Sequence, residues 1–206
     1  MSTIIVVRHG ETTWNREKRL QGWAPARLTP VGVVQADQLG SALARTYDID
    51  RMLSSDLART KETVERLRDY IDVPITFSTA WRERDVGVHQ GLSYNEISVR
   101  FPTFDVEQTG VDAAQLRPES GESLVDLRKR VIEGWRATLA HCEPNETLLI
   151  VTHGGPIRLL LGHIKDQNIV DAILGHSQEN CAINEFVTDD TTGVVNIIRE
   201  NETARC

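Results

Sequence analysis

A chain of 206 residues, 40% hydrophobic and 26% charged, is long enough for one globular domain with a core of its own. Its formal net charge of -7 argues against nucleic acid and anionic membranes as partners, because both repel a negative surface. Cys142, Cys181 and Cys206 are scattered and odd in number, which predicts a reducing compartment rather than a disulfide framework.

No signal-peptide pattern opens the chain, and no apolar run approaches the ~20 residues of a membrane-spanning helix. The expected location is the cytoplasm. The first element is Ile4–Val7, a continuous apolar run typical of a strand buried on both faces. A polar loop follows from Glu11 to Arg27. Thr29-Pro30 predicts an N-cap with proline at the first helical position, and Val33, Ala36, Leu39 and Leu43 carry the helix's apolar stripe. Met52-Leu53 is a short strand candidate. Ser54-Ser55-Asp56 is rich in capping residues, so a helix is expected from there to about Leu67. Val73–Phe77 is a further strand, placed at a sheet edge or strand start by Pro74.

Glycines and prolines punctuate residues 81–120, which read as an active-site rim or lid with one short helix from Tyr94 to Phe101. Leu124, Leu127, Val131, Trp135 and Leu139 then mark a long helix, with His141 at its end, where it suits the helix dipole. Thr147–Thr152 is the second buried strand, and a helix starts at Pro156. Two strands, Ala182–Val187 and Val194–Ile198, close the chain around a turn at Asp189–Gly193. Strands alternating with helices predict an α/β fold. The expected form is a three-layer sandwich, one domain over 1–206, with a mostly parallel central sheet flanked by helices on both faces.

Ligand sites in such sheets form beyond the carboxyl ends of the strands. Two apolar strands end there in His-Gly: Arg8-His9-Gly10 after the first, and His153-Gly154-Gly155 after Thr152. Either histidine alone would suit a structural turn, but two matching strand ends point to chemistry. An imidazole on stiff backbone can be a base, a metal ligand or a nucleophile. Arg8 beside His9 favours an oxyanion over a metal, since a guanidinium fork matches phosphate and repels a cation. A phosphate-handling site is therefore preferred over a metal site, and a cysteine or serine nucleophile over neither, because no GxSxG elbow is present.

The segments VVRHGETTWNREKRLQG, LTPVGVVQA, SSDLARTKET, WRERDVGVHQG, PESGESLVDLRKRV and VTHGG together resemble the histidine phosphatase family, also called phosphoglycerate mutase-like, in order and over nearly the whole chain. The resemblance implies catalysis by His9 as nucleophile, Arg8 and Arg59 as phosphate clamps, His153 as the second histidine and Glu83 as proton donor to the leaving oxygen. It puts Asn15 on the phosphate, with Gln21, Gly22 and Gly154 beside it. Thr12 is expected within reach of the site. It implies a phosphohistidine intermediate, and neither metal nor other cofactor.

The structural alternatives are specific. Arg59 would pair with Glu62 or Glu65 on a solvated helix face, and Glu83 would belong to an ion-pair cluster with Arg82, Arg84 and Asp85. Ser123 would only cap a helix, and His89, His163 and His176 serve no catalytic purpose. The chain departs from the family where Trp23-Ala24-Pro25-Ala26-Arg27 replaces the usual acidic and proline residues. Arg27 there either meets a second anionic group of the substrate or faces solvent. Trp14, Trp23 and Phe101 are candidates for an apolar wall.

Only residues 84–152 separate Glu83 from His153, with no counterpart of the mutases' double-arginine segment. That favours a phosphatase acting on a small phosphorylated metabolite over a cofactor-dependent phosphoglycerate mutase. A third reading is a catalytically weak member that binds phospho-ligands or proteins. The sequence leaves a homodimer open.

Overall fold

The computed structural model describes residues 1–189 and 192–204. Cys206, and two residues of the predicted turn at Asp189–Gly193, lie outside the described residues. In chain order the elements are β1 (Ser2–Arg8), α1 (Thr13–Arg16), α2 (Pro30–Thr46), β2 (Arg51–Ser54), α3 (Ala58–Leu67), β3 (Ile75–Phe77), α4 (Tyr94–Arg100), α5 (Val106–Thr109), α6 (Val111–Gln115), α7 (Leu124–Ala140), β4 (Thr147–Thr152), α8 (Gly154–Ile164), α9 (Ile169–Gly175), β5 (Ala182–Thr188) and β6 (Val195–Thr203).

The strands form one sheet in the order β3-β2-β4-β1-β5-β6. β3, β2, β4 and β1 run parallel to their neighbours, while β5 and β6 add an antiparallel edge. Side chains alternate across the central strands, so each face has its own core. Ile4, Val6, Leu148 and Ile150 pack with α7, α8 and α9 on one face. Ile5, Val7, Leu149 and Val151 pack with α2 and α3 on the other. This is the expected sandwich, and it follows from two continuous apolar strands that demand cover on both sides. No helix among the described residues is long and apolar enough to cross a membrane.

Local chemistry sets the helix starts. Thr29 accepts a hydrogen bond from the Gly32 amide with Pro30 behind it, and Ser123 and Asp126 close a capping box on α7. Several elements differ from the sequence reading, four of them for reasons visible in the packing. α8 begins two residues early, at Gly154, with His153 as its N-cap. α3 starts after Leu57 with no side-chain cap, because Ser54 belongs to β2, Ser55 faces His153 and Asp56 pairs with Arg82. α9 was not expected. Its Asn168 cap accepts from the amides of Val170 and Asp171, and its Ala172 sits so close to Gly162 that a Cβ on Gly162 would fall 2.2 Å from it. β6 also runs on to Thr203, beyond the predicted Ile198, because β5 offers pairing partners as far as Ala182.

The turn after β1 is pressed against the start of α2. A Cβ on Gly10 would lie 2.4 Å from the Gly32 carbonyl oxygen, and one on Gly32 would lie 2.1 Å from the Glu11 carbonyl oxygen. Both obstacles are backbone and cannot swing away. Gly32→Ala would gain about 1 kcal/mol of helix propensity in an open helix. Here the clash should reverse the sign and cost about 1–3 kcal/mol. A lower urea midpoint at unchanged slope would report this, and a raised midpoint would contradict it.

Candidate active site

The site follows from one register. Parallel pairing of β1 with β4 sets Arg8 opposite Thr152. The His9 amide then donates to the Thr152 carbonyl at 3.0 Å, so both chains leave the sheet side by side. The two imidazoles face each other with ring centroids 5.2 Å apart. α3 delivers Arg59, which is 1% exposed, between them. Its Nε–H is shared by His9 Nε2 at 3.2 Å and His153 Nδ1 at 3.1 Å, and its outer nitrogens donate to the carbonyls of Gly22 and Ala24.

These contacts fix both tautomers. An arginine has no acceptor, so both ring nitrogens facing Arg59 must offer lone pairs. His9 therefore carries its proton on Nδ1 and donates to the Gly10 carbonyl at 2.7 Å. His153 carries its proton on Nε2 and donates to Ser55 Oγ at 2.8 Å. Burial, followed by the charges of Arg59 and Arg8, holds His9 well below the ordinary imidazole value of 6.5. Burial and Arg59, with smaller contributions from His9 and Arg8, do the same to His153. Burial likewise lowers Arg59 to about 10, which leaves it charged at neutral pH.

Glu83 lies across from these groups. Its two carboxylate oxygens accept from the amides of Arg84 at 2.8 Å and Gly155 at 3.1 Å, the latter at the start of α8. Arg130 on α7 holds the backbone beneath it. Its guanidinium donates to the carbonyls of Ala80, Arg82 and Glu83 while paired with Glu122. Trp23 covers the outside: its indole N–H donates to the Glu83 carbonyl at 2.8 Å, and the Arg82 guanidinium lies 4.5 Å from its ring centre. The proposed ion-pair cluster around Glu83 does not form. Arg82 pairs with Asp56, and Arg84 donates to the carbonyls of Glu122 and Leu116.

Arg8, His9, Asn15, Gln21, Gly22, Arg59, Glu83 and Gly154 line one cavity of about 580 Å³. His153 stands behind them against His9 and Arg59, fully buried. Residues between Glu83 and Pro118 also line the cavity. Two expected contacts are corrected. Thr12 does not line the cavity; its hydroxyl bonds to Gln21 and, with its amide, to Asn15, capping α1. Arg27 points away, 82% exposed and paired with Glu62 at 2.9 Å, because Glu62 also accepts from the Leu28 amide and anchors the loop there. That pairing also frees Arg59 from Glu62. The apolar wall comes from Leu20, Ile97, Phe104 and Leu124 rather than from Trp14, Trp23 or Phe101.

Sequence reasoning missed four residues. Ser55 read as one of a run of capping residues, and nothing in the sequence singles out Arg130 within its helix. Asn180 donates to the His9 carbonyl at 2.9 Å and reaches Asn15, and the Gln178 carbonyl accepts from Arg8. Both sit in an irregular loop before β5 that carries no periodic pattern.

The chain matches the family model of the histidine phosphatase superfamily (branch 1) over residues 4–201. It belongs to that superfamily. It is 32% identical over 164 residues to the uncharacterized phosphatase PhoE of Bacillus subtilis, covering 80% of this chain and 78% of that one. It is 36% identical over 172 residues to the probable phosphoglycerate mutase GpmB of Salmonella arizonae, covering 80% and 75%. The structure of YhfR from Bacillus stearothermophilus superposes with a TM-score of 0.88 at 28% identity, covering 98% of each chain. The superfamily is one of enzymes, and these relatives carry the names of both phosphatases and mutases.

Two neutral buried imidazoles make stability depend on pH. Below pH 6.5 the unfolded chain gains protons on His9 and His153 that the folded chain refuses. The unfolded state is then favoured, and stability falls as the pH drops from about 6.5, by up to ~1.4 kcal/mol per pH unit for each ring. Carboxylates such as Asp56, held down by Arg82, act only below their ordinary value of 3.8. Urea unfolding between pH 7 and 5 should therefore show a steep loss that the His9→Gln/His153→Gln variant flattens. An equal slope in that variant would refute the assignment.

Proposed function

We propose that this histidine phosphatase superfamily member is a phosphomonoester hydrolase that acts on a small phosphorylated metabolite through a phosphohistidine on His9. The observation that carries the reading is the tautomer of His9. With Nδ1–H engaged by the Gly10 carbonyl, the Nε2 lone pair faces Arg59 and the cavity, where a phosphorus would be attacked. The substrate's phosphoryl oxygens take the donors that the imidazoles now share, and Arg8 and Arg59 offset the charge on the transferring group. Asn15 and the Gly154 amide complete its surroundings.

His9 Nε2 forms the N–P bond as the P–O ester bond breaks. Glu83, having taken up a proton from solvent as the anionic substrate binds, hands it to the departing alkoxide. Water then attacks phosphorus while the Glu83 carboxylate takes the water's proton. The N–P bond breaks, phosphate leaves, and His9 returns neutral. The chain's own cations and donors supply the charge stabilisation, so no metal or other cofactor is required. His153 gains a proton as the dianionic group arrives, since that charge opposes the arginines that now keep the ring neutral.

Phosphoglycerate mutase activity is the second reading, favoured by the 36% identity to the Salmonella relative so named. It needs the phosphohistidine shielded from water, whereas half of this cavity wall is a run of short helices and turns over residues 83–118.

Rapid quenching with a labelled phosphomonoester should trap an acid-labile phosphoenzyme, absent from His9→Ala, whose turnover should fall at least ~10³-fold. Excess EDTA should leave the wild-type rate unchanged. Brisk turnover by His9→Ala would remove the nucleophile assignment. Exchange between 3- and 2-phosphoglycerate with little phosphate release would favour the mutase. Glu83→Gln should slow alkyl phosphates by about 10²-fold or more but p-nitrophenyl phosphate far less, because that leaving group needs no proton. Equal losses on both would remove the proton-donor role.

A further inference from the structure

Resting on the phosphatase reading, we propose that Arg158 is a specificity residue that binds a second oxyanion on the substrate's leaving group. Arg158 lies on α8 and lines the same cavity as His9 and Glu83. Its Nε is buried without a hydrogen-bond partner, and its guanidinium forms no hydrogen bond or ion pair with any described residue. Arg8 shares a buried, unpartnered Nε, but it and the other cavity arginines each donate through at least one nitrogen. Arg59 donates to the Gly22 carbonyl, Arg8 to Gln178, Arg84 to Glu122 and Leu116, and Arg19 to Gly91. A buried guanidinium nitrogen left without an acceptor costs about 1–3 kcal/mol. Such groups in a native chain call for a ligand or a role.

The placement is as informative as the lack of a partner. Arg8 Nε lies against Gly154, where a Cβ would be 3.7 Å away. Arg158 is four residues further along the same helix, on the same face and about 6 Å along its axis. The two charges sense each other: burial is the main cause that lowers Arg8, Glu83 and Tyr94 oppose it, and Arg158 adds to the lowering. A line of cations therefore leads from the reacting end of the cavity outward. Glu83 partly offsets Arg8 and Arg59, but among the described residues no cavity acid pairs with Arg158 itself. Glu83 is held by the Gly155 and Arg84 amides, Asp105 caps α5, and Glu107 makes no ion pair with Arg158.

A lone phosphoryl group does not extend one helical turn past Arg8. A leaving group bearing a carboxylate or a second phosphate a few bonds from the ester does. Either is a planar or tetrahedral oxyanion that a guanidinium fork matches. This role also replaces the one that Arg27, paired at the surface, cannot fill.

Matched ligand pairs test the idea by calorimetry in the His9→Ala background, where nothing is hydrolysed. The carboxylate pair is 3-phosphoglycerate with glycerol 3-phosphate. The phosphate pair is fructose 1,6-bisphosphate with fructose 6-phosphate. With Arg158 present, the doubly anionic member of at least one pair should bind 10- to 100-fold tighter, and that pair identifies the oxyanion. Arg158→Gln should erase the preference while leaving inorganic phosphate binding unchanged, and Arg158→Lys should restore part of it. Absence of any preference, or equal weakening of both members and of phosphate by Arg158→Gln, would overturn the proposal. Wild-type protein that shows the preference but hydrolyses no phosphomonoester would instead count against the phosphatase reading alone.

Discussion

The whole site depends on β1 and β4 lying parallel with Arg8 opposite Thr152. Parallel strands of equal register end at the same level, so the residues just beyond them meet. Here those residues are His9 and His153. A slip of one residue between them would turn one strand's alternation over relative to the other and put its side chains on the wrong core. The register is therefore held by packing along the strands, and the site inherits that stiffness. The same layered cores give α3 a fixed seat, which brings Arg59 to the gap between the rings.

Electrostatically the site is suited to an anion. Arg59 is buried and charged, yet its nearest partners are two neutral imidazoles and two carbonyls. Arg8 likewise has a carbonyl on one nitrogen and no partner on its buried Nε. A cation in such surroundings is costly, because dipoles compensate burial less well than a countercharge does. The chain accepts that cost in its native state. The cost is relieved when a group with three charged oxygens enters, and this is the charge distribution of a phosphoryl group in transfer.

Position at the site is controlled from a distance. Glu83 comes from an irregular segment with no ladder to hold it. Arg130 supplies that constraint through the carbonyls of Ala80, Arg82 and Glu83 itself, and Glu122 holds Arg130 in turn. Trp23 closes the other side. The loop that departs most from the family pattern thus has a clear task at its start, where Trp23 covers Glu83, and another at its end, where Arg27 and Leu28 anchor on Glu62. Its divergence touches the support of the acid more than the lining of the cavity.

Much of this was legible from residue order. Two runs of aliphatic residues ending in His-Gly state a double-faced strand and a stiff exit from it, and those properties are local. The caps at Thr29, Ser93 and Ser123 are local too, since each hydroxyl meets an amide three residues on. What the residue order withheld needs contacts across the chain. Ser55 read as a cap because a hydroxyl before a helix usually is one, and only the approach of β4 turns it to His153. Arg27 and Arg158 are indistinguishable as sequence, a charge apiece. One finds Glu62 at the surface, while the other is carried by α8 into a cavity wall where no acid meets it. Local rules determine where strands and helices begin, because their partners lie within a few residues. Which charge is neutralised and which is left to a ligand is decided by the tertiary fold, because the partners lie tens of residues away.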